Sequence, residues 1–386
     1  MTTFIHSARL VDGGIVADDA WVAFTGSRVA GVGQGDTWRP LASAGDGVID
    51  ATVVAGRGAV LTAGFIDLHG HGGGGASYDD GIDAIRAARR FHRAHGTTRA
   101  VISLVTASLD ALGRRVAAVA DLVATDDDVL GSHLEGPFLD PGHKGAHDQT
   151  LLTMPDPVAV GALLAAGRGT VRQITLAPEL PGGLHAVRAA RDAGAVAAVG
   201  HTDADADVAA SAFDAGATLL THAFNAMRGL HHREPGPVGA AIADDRVVLE
   251  VIADGVHLHP EILRIAFAAA PGRIALVTDA MAAAGMEDGR YELGPLAVDV
   301  SHGVARLVQD GAIAGSTLTQ DAALRHAVAA GVALEDAVTA LTSTPARVLG
   351  RTDLGALEPD RLADAVLLTH DLHVRAVWVG GSPADA

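Results

Sequence analysis

Residues 196–236 read VAAVGHTDADADVAASAFDAGATLLTHAFNAMRGLHHREPG and contain two short apolar runs, each followed by a histidine. His201 follows the run 196–199, and His222 follows the run 217–220. The segment between them has helical character and is closed by a glycine, a common helix stop signal. A strand, a helix and a second strand, with a histidine at each strand end, is how a parallel barrel presents metal ligands at one rim.

Six further apolar runs in the middle of the chain have the same texture. They cover 64–68, 99–106, 129–134, 171–176, 247–252 and 274–277, and helical patterns up to Gly331 and Gly350 follow the last of them. Strand-like runs that alternate with helical patterns predict an α/β fold, and eight of them predict a (β/α)8 barrel. A doubly wound sheet is the alternative, but it would not bring side chains from six separate strand ends to one point.

Both ends of the chain have a β-rich pattern. Residues 1–58 contain short apolar runs separated by Gly and Asp turns, and residues 352–386 have the same texture. We expect the two ends to form one small β-sandwich domain beside a barrel catalytic domain over 59–351. Two unrelated β appendages are the alternative.

The composition limits the chemistry and the partners. The 386 residues include no cysteine and carry a formal net charge of −18. Without thiolates, a metal site has to use His, Asp and Glu. The acidic balance argues against nucleic acid and anionic membrane surfaces as partners. The N-terminus lacks a signal-peptide pattern and no apolar run is long enough to span a membrane, so we expect a soluble, cytoplasmic protein.

Polar residues at the ends of the apolar runs form the candidate site. They are His69, His71, Glu135, His201, His222, His257 and Asp279. Taken singly, each has a simpler interpretation as a hydrogen-bonded loop residue or a helix cap. Taken together they follow apolar runs, as residues at one barrel rim do. Imidazole and carboxylate ligands suit Zn²⁺, with Fe, Mn or Co as alternatives. Three protein ligands would leave room for a water whose proton Asp279 could accept.

The motifs around these residues resemble the amidohydrolase superfamily and, within it, the N-acetylglucosamine-6-phosphate deacetylase family. They read GFIDLHGHGGG (64–74), HLEGPF (133–138), GHT (200–202), THAFNAM (221–227), REPG (233–236), DGVH (254–257) and TDA (278–280). The first motif marks only the superfamily, whereas HLEGPF and THAFNAM are more specific to the deacetylases. The only lysine, Lys144, lies outside the fourth run, which disfavours amidohydrolases that bridge two metals with a carbamylated lysine.

The resemblance implies a role for each of the clustered residues. The implied primary metal ligands are Glu135, His201 and His222. Asp279 corresponds to the general base that later acts as the acid. Because His69 and His71 are both present, the resemblance implies one or two ions per subunit, the second sharing Glu135. The alternative is a pair that only positions water or supports the ligands of a single metal without binding it.

The resemblance also implies an amino sugar phosphate substrate, N-acetyl-D-glucosamine 6-phosphate, which would give D-glucosamine 6-phosphate and acetate. The residues that match substrate contacts are Ala146, His147, Asn225, Ala226, His257, Ile313, Ala314 and Gly315. Arg233 matches an arginine that binds phosphate in the neighbouring subunit's site, which implies a homodimer. The alternatives are an amidohydrolase for another N-acyl or cyclic amide substrate and a metal-stabilised binding protein.

Overall fold

The computed structural model describes residues 1–384, and two large sheets organise them. One is an eight-stranded parallel sheet curled into a barrel, and the other is a mixed sheet built from both chain ends. The predicted α/β fold with a (β/α)8 barrel and a separate β-rich unit is therefore confirmed.

The barrel strands are numbered here from one to eight in chain order. They are Phe65–Asp67, Thr97–Val105, Val129–Glu135, Val171–Leu176, Val196–Val199, Leu219–Leu220, Val248–Ile252 and Ile274–Val277. Each pairs in parallel with the next, and nearly all of their residues are buried. Strands covered on both faces are expected to be continuously apolar, which is why the eight apolar runs of the sequence locate them to within two residues at each end.

Side chains join the first and eighth strands, which do not pair directly. Asp67 accepts hydrogen bonds from the Thr278 backbone at 3.2 Å and from the Thr278 hydroxyl at 2.6 Å. Gln320 donates to one carbonyl oxygen of each strand, at 2.9 and 3.4 Å. Just past the ends of these two strands, the Asp279 backbone N–H donates to His69 O at 2.8 Å. The strand ends that carry His69 and Asp279 are thereby held side by side.

Helices cover the outside of the barrel. They are Ile82–Ala94, Leu109–Val123, Pro157–Ala166, Gly183–Asp192, Ala206–Ala215, Gly236–Ala243, Pro260–Ala269, Gln320–Ala329, Leu334–Leu341 and Ser343–Val348. Side-chain caps set several of their starts: Asp156 accepts from Val158 N and Ala159 N, and Asp205 accepts from Val208 N. Within the described chain, none of the helices combines the length and apolar character that a bilayer crossing needs.

The sheet from the chain ends is one connected sheet with a short helix, Ala51–Ala55, beside it. Its strands are Thr2–Asp12, Ile15–Thr25, Arg28–Gln34, Gly47–Asp50, Val60–Ala63, Ala365–Leu368, Val374–Val379 and Ser382–Pro383. Val60–Ala63 pairs with the first and the sixth of these strands, so the sheet extends past the boundary that the sequence suggested at residue 58. The expected terminal segment includes Asp385 and Ala386, which lie outside the described residues.

A three-stranded antiparallel sheet that the sequence did not suggest follows the eighth barrel strand. Its strands are Gly289–Leu293, Leu296–Ser301 and Val304–Leu307. Leu293, Val298 and Val300 pack in one apolar cluster with Val105 and Met281, next to the end of the second barrel strand. This small sheet therefore forms a wall beside the carboxyl rim of the barrel.

Candidate metal centre and its cavity

The carboxylate of Glu135 lies at the centre of the polar residues on the carboxyl rim. Glu135 ends the third strand and is buried. Its Oε1 lies 3.2 Å from His201 Nε2 and 3.2 Å from His222 Nε2, and these two nitrogens are 3.0 Å apart. His147 Nε2 lies 3.4 Å from the other oxygen, Oε2. The fifth and sixth strands thus deliver their histidines to the same carboxylate, as the sequence pattern predicts.

A second group of donors lies on the other side of Glu135. His71 Nε2 is 3.0 Å from Glu135 Oε2, and His69 Nε2 is 3.3 Å from Oε1. The two ring nitrogens are 3.2 Å apart. Asp279 Oδ1 is 3.3 Å from His71 Nε2 and 3.6 Å from His69 Nε2. Glu135 therefore stands between two donor groups, which together involve five strand ends or the loops that follow them.

The hydrogen bonds on the far side of the rings show which nitrogen faces the cluster. His201 Nδ1 donates to His143 O at 2.8 Å, and His69 Nδ1 donates to Glu250 Oε2 at 3.1 Å. A neutral imidazole carries one ring proton, so the Nε2 lone pairs of His201 and His69 point at the carboxylate of Glu135. Lone pairs at these distances repel one another unless a cation lies among them. The donor set therefore fits a divalent metal ion.

The pKa values of His71 and Glu135 also indicate that positive charge is favoured beside the carboxylates of the cluster. Burial disfavours a charged ring, yet hydrogen bonds to Asp279 and Glu135 raise the pKa of His71 to about 9. Burial opposes ionisation of Glu135, but His69 and the other imidazoles hold its pKa well below the ordinary value.

The donor groups open into a cavity of about 360 Å³. It is lined by His71, Val105, Glu135, Gly142, His143, Gly145, Ala146, His147, His201, His222, Asn225, Ala226, Met227, His257, Asp279, Leu293, Ala312, Ile313 and Gly315. Most of the substrate contacts implied by the sequence are among them. Ala314 does not line the cavity, because it is fully buried between Ile313 and Gly315 in the chain.

Comparison with known proteins agrees with this geometry. Residues 60–384 match the amidohydrolase family. The chain belongs to the amidohydrolase family. This match confirms the resemblance to the amidohydrolases that the sequence motifs indicated.

Several relatives of this amidohydrolase are amino sugar phosphate deacetylases. It is 39% identical over 352 residues to N-acetylgalactosamine-6-phosphate deacetylase of Escherichia coli O157:H7, covering 88% of this chain and 93% of the relative. It is 35% identical over 327 residues to N-acetylglucosamine-6-phosphate deacetylase of Vibrio furnissii, covering 83% and 82%. A solved structure of a mutant N-acetyl-D-glucosamine-6-phosphate deacetylase from Mycobacterium smegmatis, in complex with N-acetyl-D-glucosamine-6-phosphate, has a TM-score of 0.93 and 42% identity over the full length of both chains.

Three of the donor residues around Glu135 have left-handed backbone conformations. The φ angles of His201, His222 and Asp279 are 49°, 26° and 47°. Non-glycine residues rarely adopt positive φ, and such strain is concentrated at functional sites. At each position the chain turns sharply out of a strand, so that the side chain of the turning residue reaches the rim.

Asp279 is held as an ionised carboxylate. Burial opposes its ionisation, but the neighbouring His69 and His71 hold its pKa below the ordinary value. Gly315 packs against it so closely that a Cβ there would lie 2.8 Å from Asp279 O, and the φ of Gly315 is +59°. Glycine at this position therefore permits the late loop to reach the rim.

His257 is fixed by the aspartate of its own motif. Its Nδ1 lies 2.7 Å from Asp254 Oδ2, and Asp254 also accepts hydrogen bonds from the backbone of Val256 and His257. Burial lowers the pKa of His257, but the carboxylate of Asp254 outweighs burial and raises it. The second ring nitrogen is left for the cavity.

Two basic residues lie away from the metal donors. Arg233 lines a separate surface cavity with Arg228 and Glu234, and it does not reach the metal cavity of its own chain. Lys144 Nζ is 3.2 Å from Asp310 Oδ2, so the only lysine joins two loops at the cavity mouth instead of approaching the donor groups.

Several residues of the site escaped the sequence interpretation. Glu250 and Gln173 lie inside the barrel and hydrogen bond to each other at 2.9 Å. His133 bonds to Ser103 and Thr175, both at 2.8 Å, and burial holds its pKa well below the ordinary value. A signal did exist for Glu250, because a carboxylate in the middle of the apolar run VVLEVI requires buried partners.

Proposed function

We propose that this amidohydrolase is a metal-dependent deacetylase of an amino sugar phosphate. Its substrate is N-acetyl-D-glucosamine 6-phosphate, and water converts this to D-glucosamine 6-phosphate and acetate. The observation that carries the proposal is the convergence of the four imidazoles of His69, His71, His201 and His222 on Glu135, with Asp279 beside two of them, in a chain that is 42% identical to a deacetylase solved with this compound.

The metal centre of the proposal uses the two donor groups. Glu135, His201 and His222 would hold one divalent ion, and His69, His71 and Glu135 would hold a second. Zn²⁺ is the proposed ion, because imidazole and carboxylate donors without thiolate suit it. A metal in this setting polarises a carbonyl oxygen and lowers the pKa of a nearby water.

The proton transfers of the reaction fall to Asp279. It is ionised, buried at the cavity wall and free of any arginine or lysine partner among residues 1–384. It accepts a proton from the attacking water and returns it to the amine as the carbon–nitrogen bond breaks. His257 or His147, which both line the cavity, donates a hydrogen bond to the acetamide oxygen.

Recognition of the sugar uses the loops around the cavity. Asn225 and Ala226 follow the sixth strand, Ala146 follows the third, and the loop 313–315 closes the remaining side. Arg233 binds the 6-phosphate in the neighbouring subunit's cavity, which makes the active protein a homodimer. The exposed position of Arg233, outside its own cavity, supports this arrangement.

One observation favours a second candidate substrate. The 39% identical relative from Escherichia coli O157:H7 is named for N-acetylgalactosamine 6-phosphate, which differs from the glucosamine compound at one hydroxyl. The two sugars are therefore compared in the test of function.

The test is an acetate-release assay on the zinc-loaded protein. The panel contains both N-acetylhexosamine 6-phosphates, unphosphorylated N-acetylglucosamine and a dihydropyrimidine. We expect one acetate per amine from N-acetylglucosamine 6-phosphate, with kcat/KM above that for every other compound. Faster cleavage of N-acetylgalactosamine 6-phosphate would mean that this sugar is the substrate, and the proposed deacetylation reaction would stand. Cleavage of the cyclic amide alone would overturn the proposal.

A further inference from the structure

Glu250 is a buried carboxylate that the proposed reaction does not use. It lies in the seventh barrel strand, has no exposed surface and does not line the cavity. A carboxylate in such an environment is costly unless it is hydrogen bonded. Glu250 Oε1 accepts from Gln173 Nε2 at 2.9 Å, and Oε2 accepts from the His222 backbone N–H at 3.3 Å. Its only ion-pair partner among the described residues is the ring of His69.

The contact with Glu250 gives the two ring nitrogens of His69 different surroundings. Glu250 Oε2 is 3.1 Å from Nδ1, whereas Nε2 faces Glu135 and His71 at 3.3 and 3.2 Å. A carboxylate that accepts at Nδ1 fixes the ring proton there and leaves the Nε2 lone pair for a cation. It also restricts rotation of the ring about its Cβ–Cγ bond.

The other imidazoles of the centre lack such a carboxylate. Nδ1 of His71 and Nδ1 of His222 have no hydrogen-bond partner within residues 1–384, and His201 uses a backbone carbonyl. The second contact of Glu250 holds the backbone of His222, whose φ is 26°. One carboxylate therefore ties a ring at the end of the first strand to a strained residue at the end of the sixth.

We propose that Glu250 is a positioning residue of the metal centre. It fixes the tautomer and orientation of His69, and Gln173 orients the carboxylate by its hydrogen bond. The inference rests on the metal centre of the proposed function, but not on the identity of the sugar. It assigns Glu250 no contact with substrate.

Metal affinity provides the test. Zinc is titrated into chelator-treated protein against a competing dye, without substrate, for the wild type, Glu250→Leu, Glu250→Gln and His69→Ala. Loss of a group that supports a ligand typically weakens metal binding by about 10–100-fold. We expect zinc affinity to fall by that factor in Glu250→Leu. The binding step that weakens should be the same one that His69→Ala weakens. Glu250→Gln keeps an acceptor oxygen, so its loss should be smaller, about 3–10-fold.

The double variants test whether Glu250 acts through His69. In the His69→Ala background, Glu250→Leu should cause less than about a threefold further loss, because its route to the metal has been removed. Independent losses that multiply in the double variant would overturn the proposal, as would unchanged affinity in Glu250→Leu. If Glu250→Leu does not fold, the same cycle with Glu250→Gln decides the question.

A structural control separates positioning from general destabilisation. Thr342 is equally buried, and its hydroxyl donates to Val338 O at 2.7 Å among the outer helices, so it bonds to none of the metal donors. Thr342→Val should lower the unfolding temperature and leave zinc affinity within about threefold of wild type. Equal loss of zinc affinity in Glu250→Leu and Thr342→Val would mean that Glu250 is merely structural. Deacetylation by the wild type is measured separately, so failure of the proposed substrate leaves this test intact.

Discussion

Replacement of Asp279 by asparagine isolates the proton transfers of the proposed reaction. The substitution preserves size and removes the basic oxygen that lies 3.3 Å from His71 Nε2. The contacts among Glu135, His201 and His222 do not involve Asp279, so this donor group should still bind its ion. General acid–base catalysis contributes about 10²–10⁴-fold, and Asp279 serves both transfers, so we expect a loss of kcat near the upper limit, about 10³–10⁴-fold.

That loss corresponds to about 4–5.5 kcal/mol of activation free energy, at about 1.4 kcal/mol for each factor of ten. The assay is steady-state acetate release with metal content measured on the same sample. Asp203→Asn is the matched control, since Asp203 lies on the same rim but pairs with Arg228 and does not line the cavity. It should retain activity within about threefold. An Asp279→Asn protein that binds metal and keeps more than a tenth of wild-type kcat would refute the role.

Three further outcomes are expected. Arg233→Ala should raise KM for the phosphorylated sugar by about 10–100-fold through loss of a charge-assisted contact, and equal effects on the unphosphorylated sugar would contradict this. Burial raises the pKa of Asp12 from 3.8 to about 6, so the folded chain takes up a proton between those values and stability falls as pH rises through them. Asp12→Asn should therefore gain up to about 3 kcal/mol relative to wild type between pH 4 and 7 in urea unfolding, whereas a difference independent of pH would exclude the effect. Chelation should abolish acetate release and lower the unfolding temperature, and added zinc should reverse both; a fully active chelated protein would contradict metal dependence.

The barrel could be predicted because of how its strands are buried. A parallel strand covered by helices outside and side chains inside is expected to be mostly apolar, so an apolar run locates the strand and the polar residue that follows the run marks its end. His201 and His222 were found in this way. The same reasoning brought Glu135 and Asp279 to one rim, because the carboxyl ends of all eight strands meet there.

The parts that were missed depend on partners distant in sequence. In sequence, Val60–Ala63 resembles the beginning of the barrel. In the structure it is a strand of the terminal sheet, where it pairs with Thr2–Asp12 on one side and Ala365–Leu368 on the other. Glu250 interrupts an apolar run, and its partners His69 and Gln173 lie 181 and 77 residues away.

The convergence of separate strand ends on one cation can be observed directly. Anomalous diffraction at the zinc edge from crystals of the zinc-loaded protein would locate the ion. We predict a peak about 2.0–2.2 Å from Glu135, His201 and His222 together, with a second peak between His69 and His71. Absence of zinc from these residues in crystals of active protein, or zinc bound elsewhere, would contradict the proposed metal centre.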